Sequence, residues 1–123
     1  MTTFAPHHLA AIAAEQDLFV APFRDDGTTY GTPTQVWALI VDEKVYVRAA
    51  NGTASRWYQA AIRQGAGRIH IAGEVLEARF DAAGTADEDA IDAAYEEKYP
   101  GSSAVPIMQG TGPKAAAVLI SPR

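Results

Sequence analysis

The chain has 123 residues, 10 of them lysine or arginine and 15 aspartate or glutamate, with a net charge of −5 and no cysteine. This length indicates one domain spanning residues 1–123. The acidic balance argues against nucleic-acid binding, which needs a basic face. The missing cysteines exclude disulfides, thiol catalysis and cysteine-ligated metals. No apolar run reaches the roughly 18 residues of a membrane span, and a signal peptide's charged start is missing, so we expect a cytoplasmic protein without membrane contact.

The N-terminal third predicts a helix and a strand. Residues 1–6 are expected to be loose, and the alanine-rich segment His7–Gln16 has helical spacing of its apolar residues. Leu18–Phe23 is an apolar and aromatic run of strand length. Pro22 within it indicates an edge strand or a bulge, because proline donates no hydrogen bond to a neighbouring strand.

The middle and the end of the chain predict further strands in a mostly antiparallel arrangement. Gln35–Val41 and Val45–Ala49 flank a short polar break and predict a hairpin. Arg68–Phe80 alternates apolar and polar residues and is interrupted at Gly73, which indicates two strands or one bent strand. With Ala115–Ile120 as the last strand, we expect about six strands and three helices.

The segment Ala86–Tyr99 carries the clearest helix signals. Thr85 and Glu88 have the spacing of a capping box, in which each side chain bonds a backbone N–H at the helix start. Acidic residues crowd the first turn, where the helix dipole favours them. Pro100-Gly101 ends the pattern.

The junction between the strand ending at Arg48 and the next helix is open to two interpretations. Asn51-Gly52 tolerates positive φ, and Thr53 or Ser55 can cap a helix over about Arg56–Gln64. A helix N-terminus flanked by arginines and hydroxyls favours an anion such as a phosphate. Every helix start needs a cap, however, and exposed arginines are common, so the junction equally suits a plain turn.

Several short motifs resemble the flavin-binding split-barrel superfamily, which is pyridoxamine-phosphate-oxidase-like. These are Thr32-Pro33 with Val36-Trp37, then Val45–Arg48, Arg56–Tyr58 and Ile91–Tyr99, in an order similar to the uncharacterised DUF2255 family. The strand, small-residue loop, tryptophan-bearing helix and strand pair also resemble deazaflavin (F420)-dependent nitroreductase-like proteins. The resemblance implies an α+β fold, a split β-barrel with flanking helices.

The resemblance also implies a cofactor, F420 or FMN, and a homodimer whose interface closes the site. In split-barrel relatives the loop and helix start bind the cofactor's phosphate-bearing tail, while the ring lies in a groove. Carried over, the candidates are Arg48, Asn51, Gly52, Thr53, Ser55, Arg56 and Trp57 for the tail, and Thr32, Pro33, Thr34 and Gln35 near the ring.

Three functions follow as hypotheses. The first is a flavin- or F420-dependent oxidoreductase acting on a small molecule, in which the cofactor carries the hydride. The second is a protein that binds a flavin, deazaflavin or other planar molecule without turnover. The third is a dimeric scaffold whose cofactor site has decayed, because one fold hosts many functions.

Other candidate groups have structural alternatives. His7 and His8 with Glu15 suggest a metal site or, more simply, exposed residues near a helix start, and we expect no metal. His70 suits a proton donor or a hydrogen-bonded structural histidine. Gln109–Ala116 faintly resembles a phosphate loop but fails the Walker pattern, which leaves Lys114 as a possible phosphate ligand. No catalytic residue can be assigned from the sequence.

Overall fold

The computed structural model describes residues 3–15, 17–85 and 87–123. Within them the chain forms seven β-strands and five α-helices. In chain order these are α1 (Pro6–Ala14), β1 (Leu18–Pro22), β2 (Thr34–Val36), β3 (Ala38–Val41), β4 (Lys44–Arg48), α2 (Arg56–Gln64), β5 (Ala66–Ile71), β6 (Glu74–Ala82), α3 (Glu88–Lys98), α4 (Val105–Met108), α5 (Thr111–Ala115) and β7 (Ala117–Pro122). A 3₁₀ turn at Gly52–Ala54 precedes α2.

The strands form one antiparallel sheet in the order β2-β1-β5-β6-β7-β4-β3. Its first and last strands, β2 and β3, are consecutive in the chain and separated by Trp37 alone. A single residue cannot span a flat seven-stranded sheet, because neighbouring strands lie about 5 Å apart. The sheet therefore curls until its edges nearly meet, and the result is a nearly closed barrel. The expected α+β fold with an antiparallel barrel is confirmed.

Side chains that alternate inward along the strands fill the barrel. Val20 on β1, Val47 on β4, Ile69 on β5 and Ile120 on β7 are each at most 1% exposed. Ile12 from α1 and Ala61 from α2 pack against the same cluster. Burial of this apolar surface is the main force that closes the sheet.

A second, smaller core lies between the outer face of β3–β4 and the helices α3 and α4. Leu39 and Tyr46 point outward from the barrel and pack with Ile91, Tyr95 and Met108. Helix α3 is also tied to the barrel by Lys98, whose Nζ donates to the carbonyl oxygens of Ile12 (3.0 Å) and Ala38 (2.6 Å). The outer face of β4 is therefore covered by protein.

Helix α2 and the hairpin arms agree well with the sequence analysis. The predicted span Arg56–Gln64 is the observed one, and β5 and β6 divide the segment Arg68–Phe80 at Gly73 as expected. Ile69 and Ile71 are buried inside the barrel, while Arg68 and His70 lie on its outer side and are partly exposed.

Other sequence-based boundaries are wrong. Gln35–Val41 is two strands, because the chain changes direction at Trp37 to join both edges of the sheet. The strand predicted from Ala115 begins at Ala117, after the short helices α4 and α5, which the sequence analysis did not predict. Strand β1 has neighbours on both sides, and Pro22 lies at its end, beyond the residues paired with β2.

The starts of α1 and α3 also differ from expectation. Helix α1 begins at Pro6, one residue before the predicted His7. Asp87 is the N-cap residue of α3, and no side chain of the described residues caps the first amides, so the capping box at Thr85 and Glu88 does not form. Ala86, Gln16 and the first two residues of the segment expected to be loose lie outside the described residues. Phe4 from that segment is 5% exposed and packs in the barrel core. Among the described helices none is long and apolar enough to cross a membrane.

Candidate functional site

A cavity of about 480 Å³ opens at the seam of the barrel, where β2 turns into β3. One wall is the seam segment Thr34–Trp37. The opposite wall is the chain from Arg48 through the loop to the first turn of α2. The floor includes Ala104 and Met108 at α4. We call this space the seam pocket.

The loop between β4 and α2 turns sharply enough to aim the helix start at the seam pocket. Gly52 has a φ of +71° and is buried, and an added Cβ would lie 3.4 Å from the carbonyl oxygen of Gly112. A larger residue there would be strained by its backbone and crowded by α5. This confirms that Asn51-Gly52 is a turn with positive φ, located at Gly52.

The N-terminus of α2 has no side-chain cap. Ser55 is the N-cap residue, as predicted, but neither its hydroxyl nor that of Thr53 bonds the first amides of the helix among the described residues. The first turn contains no acidic side chain. The N–H groups and the positive end of the helix dipole are thus open to an anion at the edge of the seam pocket.

Arg48 is buried, and its guanidinium is hydrogen-bonded within the protein. Its side chain is fully buried, and one terminal nitrogen donates to Asp92 Oδ1 and to the carbonyl oxygen of Met108 (3.1 Å). The other terminal nitrogen donates to the carbonyl oxygen of Glu88 (3.1 Å). The guanidinium also lies over the ring of Tyr95, 5.6 Å from its centroid. Arg48 therefore joins β4 to α3 and α4 and shapes the floor of the seam pocket.

One donor of Arg48 is left over. Its Nε is buried and finds no hydrogen-bond partner among the described residues. A buried donor without a partner is costly, typically about 1–3 kcal/mol. The Nε atom is shielded from the pocket as well as from solvent, so this cost belongs to the buried network behind the pocket floor.

Asp92 is the hub of the network behind the pocket. Its second oxygen, Oδ2, lies 3.0 Å from Lys114 Nζ, and its carbonyl oxygen accepts from Gln109 Nε2 (3.0 Å). Burial alone would raise the pKa of the Asp92 carboxyl, but hydrogen bonds from Arg48 and Lys114 outweigh it and hold this pKa below its usual value. Lys114 is thus bonded to Asp92 behind the pocket and is not one of the residues that line it.

Aromatic side chains border the seam pocket on both walls. Trp37 stacks on Tyr99 with ring centroids 3.9 Å apart and nearly parallel planes. Trp57, on the first turn of α2, contacts Tyr58 edge-on at 6.4 Å. Both tryptophans are half-buried and line the pocket. Flat apolar surfaces of this kind suit a planar ring.

Arg56 is the cation with a free guanidinium at the pocket. The side chain is exposed, and no hydrogen bond or ion pair joins it to any residue that the structure describes. It belongs to the same first helical turn as the open amides. The sequence pattern makes Arg48 and Arg56 equivalent candidates, whereas of the two only Arg56 is available to an external anion without breaking internal contacts.

The structure brings seven of the eleven predicted site residues together at the seam pocket: Thr34, Gln35, Arg48, Asn51, Ser55, Arg56 and Trp57. Thr32 lines an adjacent cavity, and Pro33 lines a third one that also contains His70. Gly52 and Thr53 lie in the 3₁₀ turn behind the pocket wall. The pocket also uses Ala50, Ala104 and Met108, for which the sequence contained no signal, and Val36 and Trp37, which belong to one of the motifs that carry the resemblance.

The histidines do not join the seam pocket. His8 Nε2 lies 3.5 Å from Glu74 Oε1, and His7 packs on the His8 ring. Nε2 of His70 is buried without a partner among the described residues, in a different cavity. Within the described part of the chain, no three His, Cys, Asp or Glu side chains converge in a way that could hold a metal ion.

The lining of the seam pocket is suited to binding a ligand and not to transferring protons. Its ionisable lining residues, among those described, are Arg48 and Arg56. Neither arginine loses its proton at neutral pH, so neither transfers protons. The pocket therefore offers stacking surfaces, N–H donors and positive charge, and any redox chemistry there has to come from a bound molecule.

Comparison with known proteins assigns a family but no activity. A family model described as an uncharacterised protein conserved in bacteria (DUF2255) matches residues 8–120. Among solved structures, the chain is similar to conserved hypothetical protein Rv2991 from Mycobacterium tuberculosis, with a TM-score of 0.63 and 13% identity over 98% of this chain and 80% of that one. This likeness shows the fold alone. A comparison with curated proteins found no match.

Proposed function

Because the chain belongs to the bacterial family DUF2255, whose description states no activity, we propose a function from the seam pocket itself. The pocket binds the ring and first phosphate of a flavin or deazaflavin, FMN or F420. The protein uses this cofactor as an oxidoreductase acting on a small molecule.

The observation that carries the proposal is the pairing of flat aromatic walls with an uncapped helix start. Trp37 and Trp57 border the cavity, and the first amides of α2 open at its edge beside Arg56. A planar ring and an anionic group within one molecule match these two halves of the pocket.

The residues present fit such a cofactor. Arg56 and the N-terminus of α2 would hold the phosphate, and Trp37 with Gln35 would adjoin the ring. A bound flavin or deazaflavin supplies hydride transfer. The protein's own groups bind and orient the ring and exclude water from one side of it, and Arg48 keeps the floor rigid through Asp92.

Several finer features of the resemblance belong to the same proposal. They are membership of the FMN- and F420-binding split-barrel superfamily, a cytoplasmic location and a homodimer.

Ile107 is 61% exposed on α4, next to the pocket residue Met108. An exposed isoleucine on the helix that also contributes Met108 to the pocket suits a subunit interface on α4. Sedimentation equilibrium of the wild type and of Ile107→Lys tests the dimer, because a buried lysine would shift the population to monomer.

A second candidate function is binding without turnover. It is favoured by the lining itself, in which the ionisable side chains among the described residues are two arginines and none is suited to transferring protons. A carrier or sequestering protein needs only side chains that bind the ligand. Turnover with a reductant and a panel of quinone or nitroaromatic acceptors separates the two functions, since a carrier binds the cofactor and leaves the acceptor unchanged.

The proposal is tested with a matched set of variants and ligands. Riboflavin, FMN and F420 are titrated separately by fluorescence into the wild type, Arg56→Ala and Arg79→Ala. Arg79 is an exposed arginine on β6 outside the cavities described above, so its removal controls for net charge. We expect Arg56→Ala to weaken FMN about tenfold, the value of one charge-assisted contact of about 1.4 kcal/mol, and to leave riboflavin within about twofold.

The affinities of Arg56→Ala and the wild type can be compared directly only if the two proteins are equally stable. Arg56 makes no internal contact within the described residues, so the free energy of unfolding of Arg56→Ala should stay within about 0.5 kcal/mol of the wild type. If neither FMN nor F420 binds the folded wild type, the pocket is not a flavin or deazaflavin site, and the decayed scaffold becomes the better explanation.

A further inference from the structure

A second cavity continues from the seam pocket along the side of α2. It has a volume of about 460 Å³ and lies under the loop that joins β1 to β2. Thr34, Arg56 and Trp57 line both cavities. The two cavities are therefore neighbours at the start of α2, with Arg56 on the border between them, and we call the pair the groove.

The groove is cationic although the protein is acidic. Arg24 and Arg63 line the second cavity, Arg48 lines the seam pocket, and Arg56 lines both. Asp25 is the single acidic residue among the described lining residues of the two cavities. Asp92 compensates the charge of Arg48 from behind the pocket floor. A chain with 15 acidic and 10 basic residues has thus placed three further arginines against one lining carboxylate here. Such a reversal of local charge favours an anionic ligand.

The two arginines of the second cavity are held only weakly by the protein. Arg63 lies 2.8 Å from Asp25 Oδ1, but the side chains are 56% and 83% exposed. An exposed pair of this kind contributes little to stability, so its partners exchange readily. Arg24 donates to the hydroxyl of Thr32 at 3.3 Å. The carboxylate of Asp26 interacts with its charge, but the two form no ion pair within 4 Å among the described residues. Both guanidinium groups are available to an incoming anion.

We propose that the second cavity binds an anionic tail of the molecule whose ring occupies the seam pocket. The tail passes Arg56, which takes its first phosphate, and its next anionic group contacts Arg63 and Arg24. The ligand is therefore an elongated molecule with at least two separated anionic groups. This inference rests on the proposed function and narrows its ligand class, since FMN carries one phosphate and both F420 and FAD carry further groups.

A structural role for the same residues makes the opposite prediction. If the Asp25–Arg63 pair serves only to tether the loop to α2, removing either partner loosens the loop and weakens any ligand there. If Arg63 is an anion ligand, removing Asp25 frees it from a competing carboxylate and strengthens binding. The variant Asp25→Asn thus distinguishes the two roles by the sign of its effect.

The experiment uses a ladder of ligands with increasing numbers of anionic groups. Riboflavin, FMN, FAD and F420 are titrated by fluorescence, and inorganic tripolyphosphate, which has no ring, is titrated by calorimetry. The variants are Arg63→Gln, Asp25→Asn and the charge control Arg79→Gln. Because glutamine suits helices nearly as well as arginine, Arg63→Gln preserves α2.

The expected result is a selective effect of tail length. Relative to the wild type, Arg63→Gln weakens FAD or F420 about fivefold or more, as expected for loss of an anion contact, and leaves riboflavin and FMN within about twofold. Asp25→Asn strengthens the same long ligand about two- to threefold. Arg79→Gln leaves every ligand within about twofold. Preference for FAD over F420, or the reverse, identifies which tail the groove accepts.

Each of the other possible outcomes refutes the tail subsite, the proposed flavin function, or both. If FAD and F420 bind no more tightly than FMN, or if Arg63→Gln and Arg79→Gln have equal effects, the tail subsite is refuted while the ring site stands. If tripolyphosphate binds in an Arg63-dependent manner and no ring compound binds, the anionic subsite stands and the proposed flavin function fails. If nothing binds, both fail. If Asp25→Asn weakens the long ligand, the pair is a tether and the subsite is refuted.

Discussion

Replacing Asp92 with asparagine should lower the free energy of unfolding by about 2–4 kcal/mol at neutral pH. The side chain of Arg48 is 0% exposed and depends on this carboxylate, which is itself 22% exposed, for its only ionic partner among the described residues. Breaking a buried pair by removing one charge typically costs about 3–5 kcal/mol. The loss here is somewhat smaller because the carbonyl oxygens of Glu88 and Met108 still accept from Arg48.

The pH dependence of the same variant provides a second test. Arg48 and Lys114 hold the pKa of Asp92 below its usual value in the folded protein despite burial, which acts in the opposite direction. A carboxyl with a lowered folded-state pKa stabilises the fold fully above its unfolded pKa of about 3.9, and this contribution disappears as the pH falls through the folded-state pKa. The difference in stability between wild type and Asp92→Asn should therefore shrink in acid.

The assay is urea unfolding followed by tryptophan fluorescence, since Trp37 and Trp57 both border the seam pocket. Glu96→Gln, an exposed charge removal on the same helix, is the control and should change stability by less than about 0.5 kcal/mol. A double-mutant cycle with Arg48→Met measures the coupling, which we expect to exceed about 1 kcal/mol. If Asp92→Asn is as stable as Glu96→Gln at pH 7, the network does not support the pocket floor and our account of Arg48 is wrong.

Two further predictions concern the barrel. Lys98→Met should lower the free energy of unfolding by about 1–3 kcal/mol, because the carbonyl oxygens of Ile12 and Ala38 lose their donor. The control in the same urea titration is Lys44→Met, which loses only an exposed ion pair with Asp87 and should change stability by less than about 1 kcal/mol. Gly67→Ala should cost about 2–4 kcal/mol or prevent folding, because a Cβ there would lie 2.4 Å from the carbonyl oxygen of Ala21 on the paired strand. Gly112→Ala, with no atom within 4 Å of the added carbon, should leave the midpoint of thermal unfolding nearly unchanged, and equal midpoints for both variants would contradict the steric argument.

Local signals explain what the sequence predicted well. Helix α2 begins after a glycine with positive φ and ends at Gly65 in the left-handed region, so both boundaries are encoded within a few residues. The alternation in β5 likewise follows from one buried face. The split of Gln35–Val41 has no such local signal. It results from closure of the sheet, because β2 and β3 belong to opposite edges that only the tertiary structure brings together.

The role of Arg48 shows why the site was only partly predictable. Alternation along β4 places Val45 and Val47 inside the barrel, so Tyr46 and Arg48 are expected on the outer face. An arginine on an outer face normally reaches solvent. Here α3 covers that face and supplies Asp92, 44 residues further along the chain, as the partner. The sequence contained both residues but no local pattern that paired them.

The position of the seam pocket follows from the incomplete closure of the barrel. Strands β2 and β3 each pair with one neighbour among the described strands, so each has an edge with main-chain donors and acceptors outside the ladder. An uncovered edge in a soluble protein invites pairing with another chain. In this fold the start of α2, Met108 and the two tryptophans gather around that opening instead. On β3 the carbonyl oxygen of Ala38 is bonded to Lys98, whereas β2 contributes all three of its residues to the pocket lining. The cationic helix start therefore lies opposite the edge of β2, and a concave site of this kind at an incomplete closure is a usual place for a small ligand.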